Sequence, residues 1–329
     1  MLDILGVGQA HPTTVIDNAF LESLDIGTTN EWIMERVGIA TRRSVLPLEY
    51  IKQTRNKDTR AAAEAAHTTL TDLGTEAAKE AIQRAGIKCS DIRMVIAGVS
   101  VPQMFIPAHA CLIAAQLELC VPSFDLNSAC STFAAQLHFL NCMDPNKMPE
   151  YILLVQSETY TMSLNYNDRN SAVLFGDGAS AQIISTRHQG KAQIIASLFE
   201  SDPMGWDKVS IKSFNHFVQN GSAVQRFAIM ETVGTFDNLE KAANLQEKPY
   251  FIGHQANLRM LETSCARIGI PPEKHYFNIN KYGNCGAAGA SSVLADNWDK
   301  FKPSDVLAIA TVGAGLSWGG AVLKFGGKP

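Results

Sequence analysis

The sequence predicts an α/β protein with buried sheets, because helical and apolar segments alternate along it. Residues 75–85 (TEAAKEAIQRA) have the periodicity of an amphipathic helix that ends at a glycine, and the apolar run MVIA follows at 94–97. The alternation continues with a helix at about 108–119 and apolar strands at 123–127 and 151–155. Helices that alternate with fully apolar strands are typical of sheets covered on both faces.

Two segments of the chain resemble each other and indicate an internal duplication. Residues 110–130 and 261–284 each contain a helix, a turn with proline and a strand of pattern FxxN, the second of these strands at 277–280. A chance similarity between two ordinary α/β units is the alternative. A duplication would place Cys130 and Asn284 at equivalent junctions between a strand and a helix, where both would face a central cleft.

Composition and charge exclude several classes of protein. The 329 residues suit two domain-sized units, which we place at 1–184 and 185–329. A formal net charge of -4 without a basic block gives no reason to expect nucleic-acid binding. The seven cysteines are odd in number and form no CxxC pair. We therefore expect reduced thiols in a cytoplasmic protein, without disulfides and without a metal site.

One apolar segment near the end of the sequence is compatible with two structures, a membrane-spanning helix and a pair of strands. Residues 306–323 carry no charge and approach the length needed to cross a bilayer. Four glycines in this segment would weaken a helix, and two buried strands joined by a glycine turn fit the pattern better. The N-terminus, MLDILGVGQAHP, also lacks the basic and apolar regions of a signal peptide. We expect no membrane association.

Cys130 is the first candidate for a chemical role. It lies in FDLNSACSTFAAQLHFL, where a strand ends near Asn127 and a helix begins close to the cysteine. A helix N-terminus stabilises a thiolate, which suits a nucleophile that accepts an acyl group. A buried structural cysteine is the alternative, and the local sequence does not decide between them.

A histidine and an asparagine are the next candidates. His254 follows the apolar strand YFI and enters a polar loop, where an imidazole can donate a hydrogen bond to a thioester oxygen. Asn284 lies in the turn Gly-Asn-Cys-Gly, where a carboxamide can bond a developing enolate without adding charge. Taken singly, a structural histidine and an asparagine favoured by turn geometry are the simpler interpretations.

Together these segments resemble one family, β-ketoacyl-acyl-carrier-protein synthase III and its relatives in the thiolase superfamily. The markers EWIMERVGI, the Cys130 segment, DRNSAVLFGDGASA, HQANLRM, KYGN and VGAGLSWGGAVLKF occur in the family's order, from the N-terminus to Phe325. The resemblance implies a thiolase fold, which is a five-layer α-β-α-β-α sandwich with internal pseudo-duplication, normally in a dimer. It implies no permanently bound cofactor.

The resemblance also implies the reaction. Cys130, His254 and Asn284 match the family's catalytic triad, and the backbone N–H groups of Cys130 and Ala314 match its oxyanion hole. Cys130 would take an acyl group from acyl-CoA or a carrier protein. His254 and Asn284 would stabilise the enolate that a malonyl carrier-protein thioester forms on losing carbon dioxide, and this enolate would attack the acyl group on Cys130.

Further positions match the family's binding sites for coenzyme A and for its acyl carrier protein. Trp32 and Arg169 would stack on the adenine from opposite faces, with Arg36 beside Trp32, and Asn257 would contact the pantetheine arm. The arginines matched to the surface that docks the acidic carrier protein are Arg226, Arg259 and Arg267.

The sequence departs from the family pattern along the acyl channel. The positions concerned, often aromatic or smaller in the family, are Ile106, Thr132, Gln225 and Val312. Ile106 matches the residue that reaches across the dimer to close the partner's channel. These departures predict a specialised member of the family with a primer other than acetyl, in fatty-acid or secondary metabolism.

Two other functions stay open at this point. Some relatives transfer the acyl group to a hydroxyl or an amine, often with the asparagine altered, and some chains act only as subunits of a heteromeric condensing enzyme. Asn284 is intact and no triad residue is lost, which favours condensation by a homodimer. The relatives that join two acyl chains use a glutamate ahead of the nucleophile, and residues 103–116 contain no acid.

Overall fold

The computed structural model describes residues 2–326, which contain thirteen strands and twelve α-helices. The strands are β1 (Asp3–Ala10), β2 (Thr14–Asp17), β3 (Thr41–Ser44), β4 (Met94–Gly98), β5 (Ser123–Asp125), β6 (Tyr151–Thr159), β7 (Asp177–Ser185), β8 (Ala192–Ser201), β9 (Val209–Ile211), β10 (Phe217–Gln219), β11 (Tyr250–Gly253), β12 (Val306–Gly313) and β13 (Ser317–Phe325). The helices are α1 (Asn18–Ser23), α2 (Asn30–Arg36), α3 (Leu48–Thr54), α4 (Thr59–Ala65), α5 (Leu70–Ala85), α6 (His109–Gln116), α7 (Thr132–Asn141), α8 (Arg169–Ala172), α9 (Gly221–Ala242), α10 (Leu258–Ile268), α11 (Ile279–Tyr282) and α12 (Gly289–Asn297).

The helix α5 shows how local sequence sets an element's limits. The helix begins five residues before the predicted Thr75, because the Thr69 hydroxyl accepts from the Asp72 N–H while the Asp72 carboxylate accepts from the Thr69 N–H. It ends at Gly86, whose φ of 67° is in the left-handed region that favours glycine. The small residue Gly8 then lets β1 lie directly on α5: a Cβ there would sit 2.1 Å from the Ala77 carbonyl oxygen.

The two halves of the chain have equivalent strand orders and the same sequence of antiparallel and parallel pairings. In the first half the order is β1-β7-β6-β4-β5, with two antiparallel pairings followed by two parallel ones. In the second half the order β8-β13-β12-β11 repeats the antiparallel, antiparallel and parallel pairings. The expected internal pseudo-duplication is therefore confirmed. The division into domains after residue 184 stays a prediction, since β1 also pairs with β8.

The predicted strand at 277–280 is wrong. The position equivalent to β5 holds only an isolated bridge between Phe251 and His275, and residues 279–282 form the single helical turn α11. The backbone N–H groups of Asn278 and Ile279 both donate to the side-chain oxygen of Gln255. Because a side chain satisfies these donors, the backbone has no need of a neighbouring strand there.

The helices complete five layers. Helices α5 and α6 cover one face of the first half's strands, and α9 and α10 cover the second half's strands on the opposite outer side. Between the two sets of strands lie α7, against β8, β12, β13 and β6, and α12, against β1, β7 and β11. Both central helices are almost wholly buried. The predicted thiolase fold is confirmed by this arrangement.

The uncharged segment at 306–323 forms two antiparallel strands, β12 and β13, joined by a short turn. This is the alternative that its glycines favoured. Within residues 2–326, no helix combines the length and the apolar character that a membrane crossing requires.

Candidate active site

The candidate residues lie where parallel strands end. The segment after β5 carries Cys130, the residue after β11 is His254, and the residue after β12 is Ala314. Carboxyl ends of parallel strands are where α/β folds bind ligands. These three residues and Asn284 line one cavity with a volume of about 180 Å³. The structure therefore brings the predicted triad and the predicted oxyanion-hole segment together.

Cys130 lies in a strained turn that its neighbours hold in place. Ala129, just before it, has a φ of 46°, which is unusual for a residue with a side chain. The Thr132 hydroxyl accepts from the Ser128 N–H at 2.8 Å and donates to the Ala129 carbonyl oxygen at 2.6 Å. Asn127 Oδ1 accepts from the Ala129 N–H at 3.2 Å. These bonds fix the direction in which the thiol points.

The glycine-rich turn after β12 packs directly on this nucleophile turn. A Cβ at Gly313 would sit 2.8 Å from the Ser131 backbone nitrogen, so a larger residue would push the two turns apart. The Ser317 hydroxyl lies 2.8 Å from the Ser131 hydroxyl and 3.1 Å from that of Ser128. Ala314 is thereby held at the cavity wall.

The electrostatics of Cys130 differ from the expectation that a helix N-terminus stabilises its thiolate. Burial, together with the charge of Glu158, raises the pKa of the Cys130 thiol to about 12. Helix α7 begins two residues later, at Thr132. Desolvation therefore outweighs the helix terminus, and the free protein holds a neutral thiol near pH 7.

Three residues beside the thiol were missed by the sequence analysis. The Tyr160 hydroxyl lies 3.9 Å from Cys130 Sγ and donates to the Ser100 hydroxyl at 2.8 Å. Ser100 in turn donates to the Glu158 carboxylate at 2.7 Å. Glu158 is fully buried, and burial raises its pKa to about 8. The signal available in the sequence was the one charged residue of an otherwise uncharged strand, YILLVQSET.

His254 and Asn284 face the cavity as neutral groups. Burial lowers the pKa of His254 to about 4, so its imidazole is uncharged at pH 7. Its Nδ1 is buried, with no hydrogen-bond partner among the described residues. Asn284 Oδ1 accepts from the Gly286 N–H at 2.9 Å, which leaves its Nδ2 group free to donate toward the cavity. The Asn284 backbone is fixed by bonds to Leu174 and Gly176.

An outer cleft of about 1140 Å³ leads to the inner cavity, and the two share Leu174, Phe217, Gln225 and Asn257 among their walls. Three of the positions expected to bind coenzyme A, Trp32, Arg36 and Asn257, line this cleft.

The expected adenine site is occupied by protein groups. The Arg169 guanidinium lies 5.0 Å from the centre of the Trp32 ring, and that of Arg36 lies 5.4 Å from it. Arg169 also donates to the Gly27 carbonyl at 2.7 Å. An adenine ring enters between Trp32 and Arg169 only if the guanidinium moves.

Of the four predicted acyl-channel residues, two line the inner cavity and two do not. Gln225 and Val312 line the inner cavity. Thr132 does not, because it is fully buried and its hydroxyl holds the nucleophile turn. Ile106 does not line the cavity of its own chain either: it is 85% exposed, on a loop beside the exposed residues Met104 and Phe105.

The predicted docking arginines also differ from one another. Arg226 and Arg267 are exposed. Arg259 is engaged within the chain: it donates to the carbonyls of Met34 and Glu35 and pairs with Glu262 at 2.9 Å. This arginine joins α10 to the end of α2, while 46% of its side chain stays exposed. Among residues 2–326, no group of three or more histidine, cysteine or acidic side chains is placed to hold a metal ion.

Comparison with known proteins agrees with this geometry. Residues 124–203 match the family described as 3-oxoacyl-[acyl-carrier-protein] synthase III, and residues 240–325 match the C-terminal part of the same family. The chain is 31% identical over 335 residues to β-ketoacyl-[acyl-carrier-protein] synthase III of Coxiella burnetii, and 32% identical over 350 residues to that of Syntrophomonas wolfei. These alignments cover 98% or 99% of this chain and 98% of each relative.

The chain belongs to the 3-oxoacyl-[acyl-carrier-protein] synthase III family. The crystal structure of the family member from Aquifex aeolicus superposes with a TM-score of 0.88 at 28% identity, over 99% of this chain and all of that one. The predicted family, its fold and its class of enzyme, an acyltransferase of the condensing type, are therefore confirmed. The roles of individual residues in this synthase III homologue stay proposals.

Proposed function

We propose that this protein carries an acyl group on Cys130 and condenses it with a malonyl carrier-protein thioester to give a β-ketoacyl product. The observation that carries the proposal is that Cys130, His254, Asn284 and Ala314 line one cavity at the ends of the parallel strands. A nucleophile and two neutral hydrogen-bond donors around one small space suit a reaction that makes an acyl-enzyme and then an enolate.

In the first half-reaction, Cys130 Sγ attacks the acyl thioester carbonyl and the donor thiol leaves. The backbone N–H groups of Cys130 and Ala314 would stabilise the negative charge on the carbonyl oxygen. Contact between the Gly313 turn and the Ser131 turn supports this assignment, since it keeps the two N–H groups in a fixed relation. Preorganised donors of this kind stabilise a tetrahedral intermediate without reorganisation.

In the second half-reaction, the extender loses carbon dioxide and its enolate carbon attacks the acyl group on Cys130. The neutral imidazole of His254 and the Nδ2 group of Asn284 would bond the enolate oxygen. Burial keeps His254 uncharged at pH 7. It therefore acts as a hydrogen-bond donor, and a positive charge is not needed to hold the extender.

We propose coenzyme A thioesters as the acyl donors and an acyl carrier protein as the partner. The outer cleft would hold coenzyme A between Trp32, Arg36 and Arg169, with the pantetheine arm passing Asn257 toward Cys130. The exposed arginines Arg226 and Arg267 suit an acidic carrier protein. Thioesters of this kind are substrates, so we propose no bound cofactor.

We also propose that the protein is a cytoplasmic homodimer with a primer other than acetyl. Met104, Phe105 and Ile106 are all exposed on one loop, and exposed apolar clusters of this kind indicate an interface. In the dimer, Ile106 would close the inner cavity of the partner. An isoleucine there leaves more room than an aromatic residue would.

The test separates the two half-reactions. With Cys130→Ala, acylation should be lost while some carbon dioxide release from malonyl carrier protein remains. With Asn284→Ala, acylation should survive and carbon dioxide release should fall about 100- to 1000-fold, the usual cost of losing one donor to a developing oxyanion. If Asn284→Ala releases carbon dioxide at the parental rate, the protein is an acyltransferase that uses another acceptor.

A further inference from the structure

The buried groups beside the thiol form one continuous hydrogen-bonded chain. Glu158 is the last residue but one of β6, Tyr160 directly follows that strand, and Ser100 lies just after β4, the parallel neighbour of β6. Because Gly98 pairs with Gln156 in this register, Ser100 and Glu158 come level two residues later. The turn after β5 brings Cys130 to the same edge.

The direction of the hydrogen bonds in this chain is set by the number of protons. Above its pKa of about 8, Glu158 is an ionised carboxylate that only accepts, so Ser100 donates its single O–H to Glu158 at 2.7 Å. Tyr160 then donates its O–H to the Ser100 oxygen at 2.8 Å, which leaves the Tyr160 oxygen to accept from the Cys130 S–H at 3.9 Å. The thiol and the two hydroxyls therefore each donate one hydrogen bond to the next group in the chain.

We infer that Tyr160 and Ser100 relay the thiol proton of Cys130 to Glu158 as the acyl-enzyme forms. The inference rests on the proposed first half-reaction. As the Sγ–carbon bond forms, the S–H proton passes to the Tyr160 oxygen, the Tyr160 proton to Ser100, and the Ser100 proton to Glu158. The donor's carbon–sulfur bond breaks, and the donor leaves as a thiolate that takes a proton from solvent. In the condensation step the Cys130 sulfur leaves the acyl carbon, and the same chain runs backwards to return its proton.

The alternative proton acceptor and the local charges favour this route. His254 makes no hydrogen bond to Cys130 among the described residues, and burial lowers its pKa to about 4, which makes it a weak base. Release of the thiol proton to solvent would place a thiolate beside the ionised Glu158 in a dry site. Transfer along the chain keeps a single negative charge in the site until the donor thiolate departs. Tyr160 thus contacts the reacting sulfur, and Ser100 and Glu158 act through it.

Other groups near Glu158 affect its titration. Asp177 raises the pKa of Glu158 by its negative charge, and hydrogen bonds from Ser100 and from the Ala287 backbone lower it. Cys285, two residues before Ala287, carries a buried thiol. Burial raises the pKa of this thiol well above its ordinary value. The net effect of burial is a pKa of about 8 for Glu158, so its basic form is present at and above that pH.

The experiment compares Tyr160→Phe and Glu158→Gln with the full parent chain. Two rates are measured from pH 6 to pH 10: acylation of Cys130 by acetyl-, isobutyryl- and octanoyl-CoA, and alkylation of Cys130 by iodoacetamide, both by intact mass and peptide mapping. Each variant should slow acylation on the order of 100-fold, the usual contribution of a positioned base. The parental rates should rise through about pH 8, and Glu158→Gln should lose that inflection.

The matched control is Thr159→Val. Thr159 lies between the two relay residues, and its buried hydroxyl has no partner among the described residues, so this variant should react at the parental rate. Carbon dioxide release from malonyl carrier protein should also survive in Tyr160→Phe, since the relay serves only the thiol.

Two outcomes would overturn the relay. One is a Tyr160→Phe protein that keeps the parental acylation rate and pH profile. The other is a Thr159→Val protein whose acylation slows as much as that of Tyr160→Phe. If Glu158→Gln does not fold, Tyr160→Phe, which keeps the aromatic ring, decides the question. A parent chain whose Cys130 is alkylated with the Glu158-dependent profile but accepts no acyl group would support the relay and refute the proposed function.

Discussion

Replacing Thr132 by valine tests whether this residue holds the nucleophile turn or shapes the acyl channel. Valine has nearly the same volume but no hydroxyl. It would leave the Ser128 N–H without its acceptor and remove the one bond that the Thr132 O–H donates, to the Ala129 carbonyl at 2.6 Å. An unsatisfied buried donor costs about 1 to 3 kcal/mol, and each further lost bond about 1 kcal/mol. We therefore expect a loss of about 2 to 4 kcal/mol in unfolding free energy.

The assay combines urea denaturation with the rate of Cys130 acylation for donors of different chain length. A looser turn should slow acylation by all donors to a similar extent. The control is Thr235→Val on α9, whose buried hydroxyl has no partner among the described residues and should cost almost nothing. A Thr132→Val protein with parental stability and an altered chain-length preference would show that Thr132 shapes the channel and that the structural argument is mistaken.

Three further predictions use the same protein. Peptide mapping after incubation with an acyl donor should place the added mass on Cys130, and acylation of Cys285 with Cys130 unmodified would refute the nucleophile. Ile106→Phe should shift the preference toward shorter primers if Ile106 closes the partner's cavity, and an unchanged preference would argue against that contact. Because burial lowers the pKa of His254 from 6.5 to about 4, the folded state binds fewer protons than the unfolded state between these values. The resulting contribution of His254 to the free energy of unfolding, about 3 kcal/mol, should be present above pH 6.5 and lost as the pH falls through 4. His254→Gln should reduce the slope of the stability curve between these pH values, measured by denaturation at several pH values; the slope that remains comes from His11 and His109, whose pKa values burial also lowers to about 4.

Much of the fold followed from local patterns. The strands β4 and β6 and the helix α5 are set by apolar runs, a capping pair and a terminal glycine, all of which lie within a few residues of each other. The strand predicted at 277–280 failed because its backbone donors bond to Gln255, more than twenty residues earlier. No local pattern reports such a bond.

The candidate site shows the same division. Cys130, His254 and Asn284 could be chosen from the sequence because their motifs occur together in the order of one family, although no motif alone was decisive. Tyr160, Ser100 and Glu158 could not, since their contacts with one another and with the thiol span 30 to 60 residues. The expected stabilisation of the Cys130 thiolate also failed, because the depth of burial depends on the packing of both halves.

The repeated strand order gives the site a division of labour. Ala314 follows β12 as Tyr160 follows β6, and Asn284 precedes α12 much as Cys130 precedes α7. The first half therefore supplies the nucleophile and the proposed proton chain, while the second supplies His254, Asn284 and Ala314, which join the Cys130 N–H as the groups proposed to bind oxygen anions. A single asymmetric centre therefore depends on both copies of the repeated strand order.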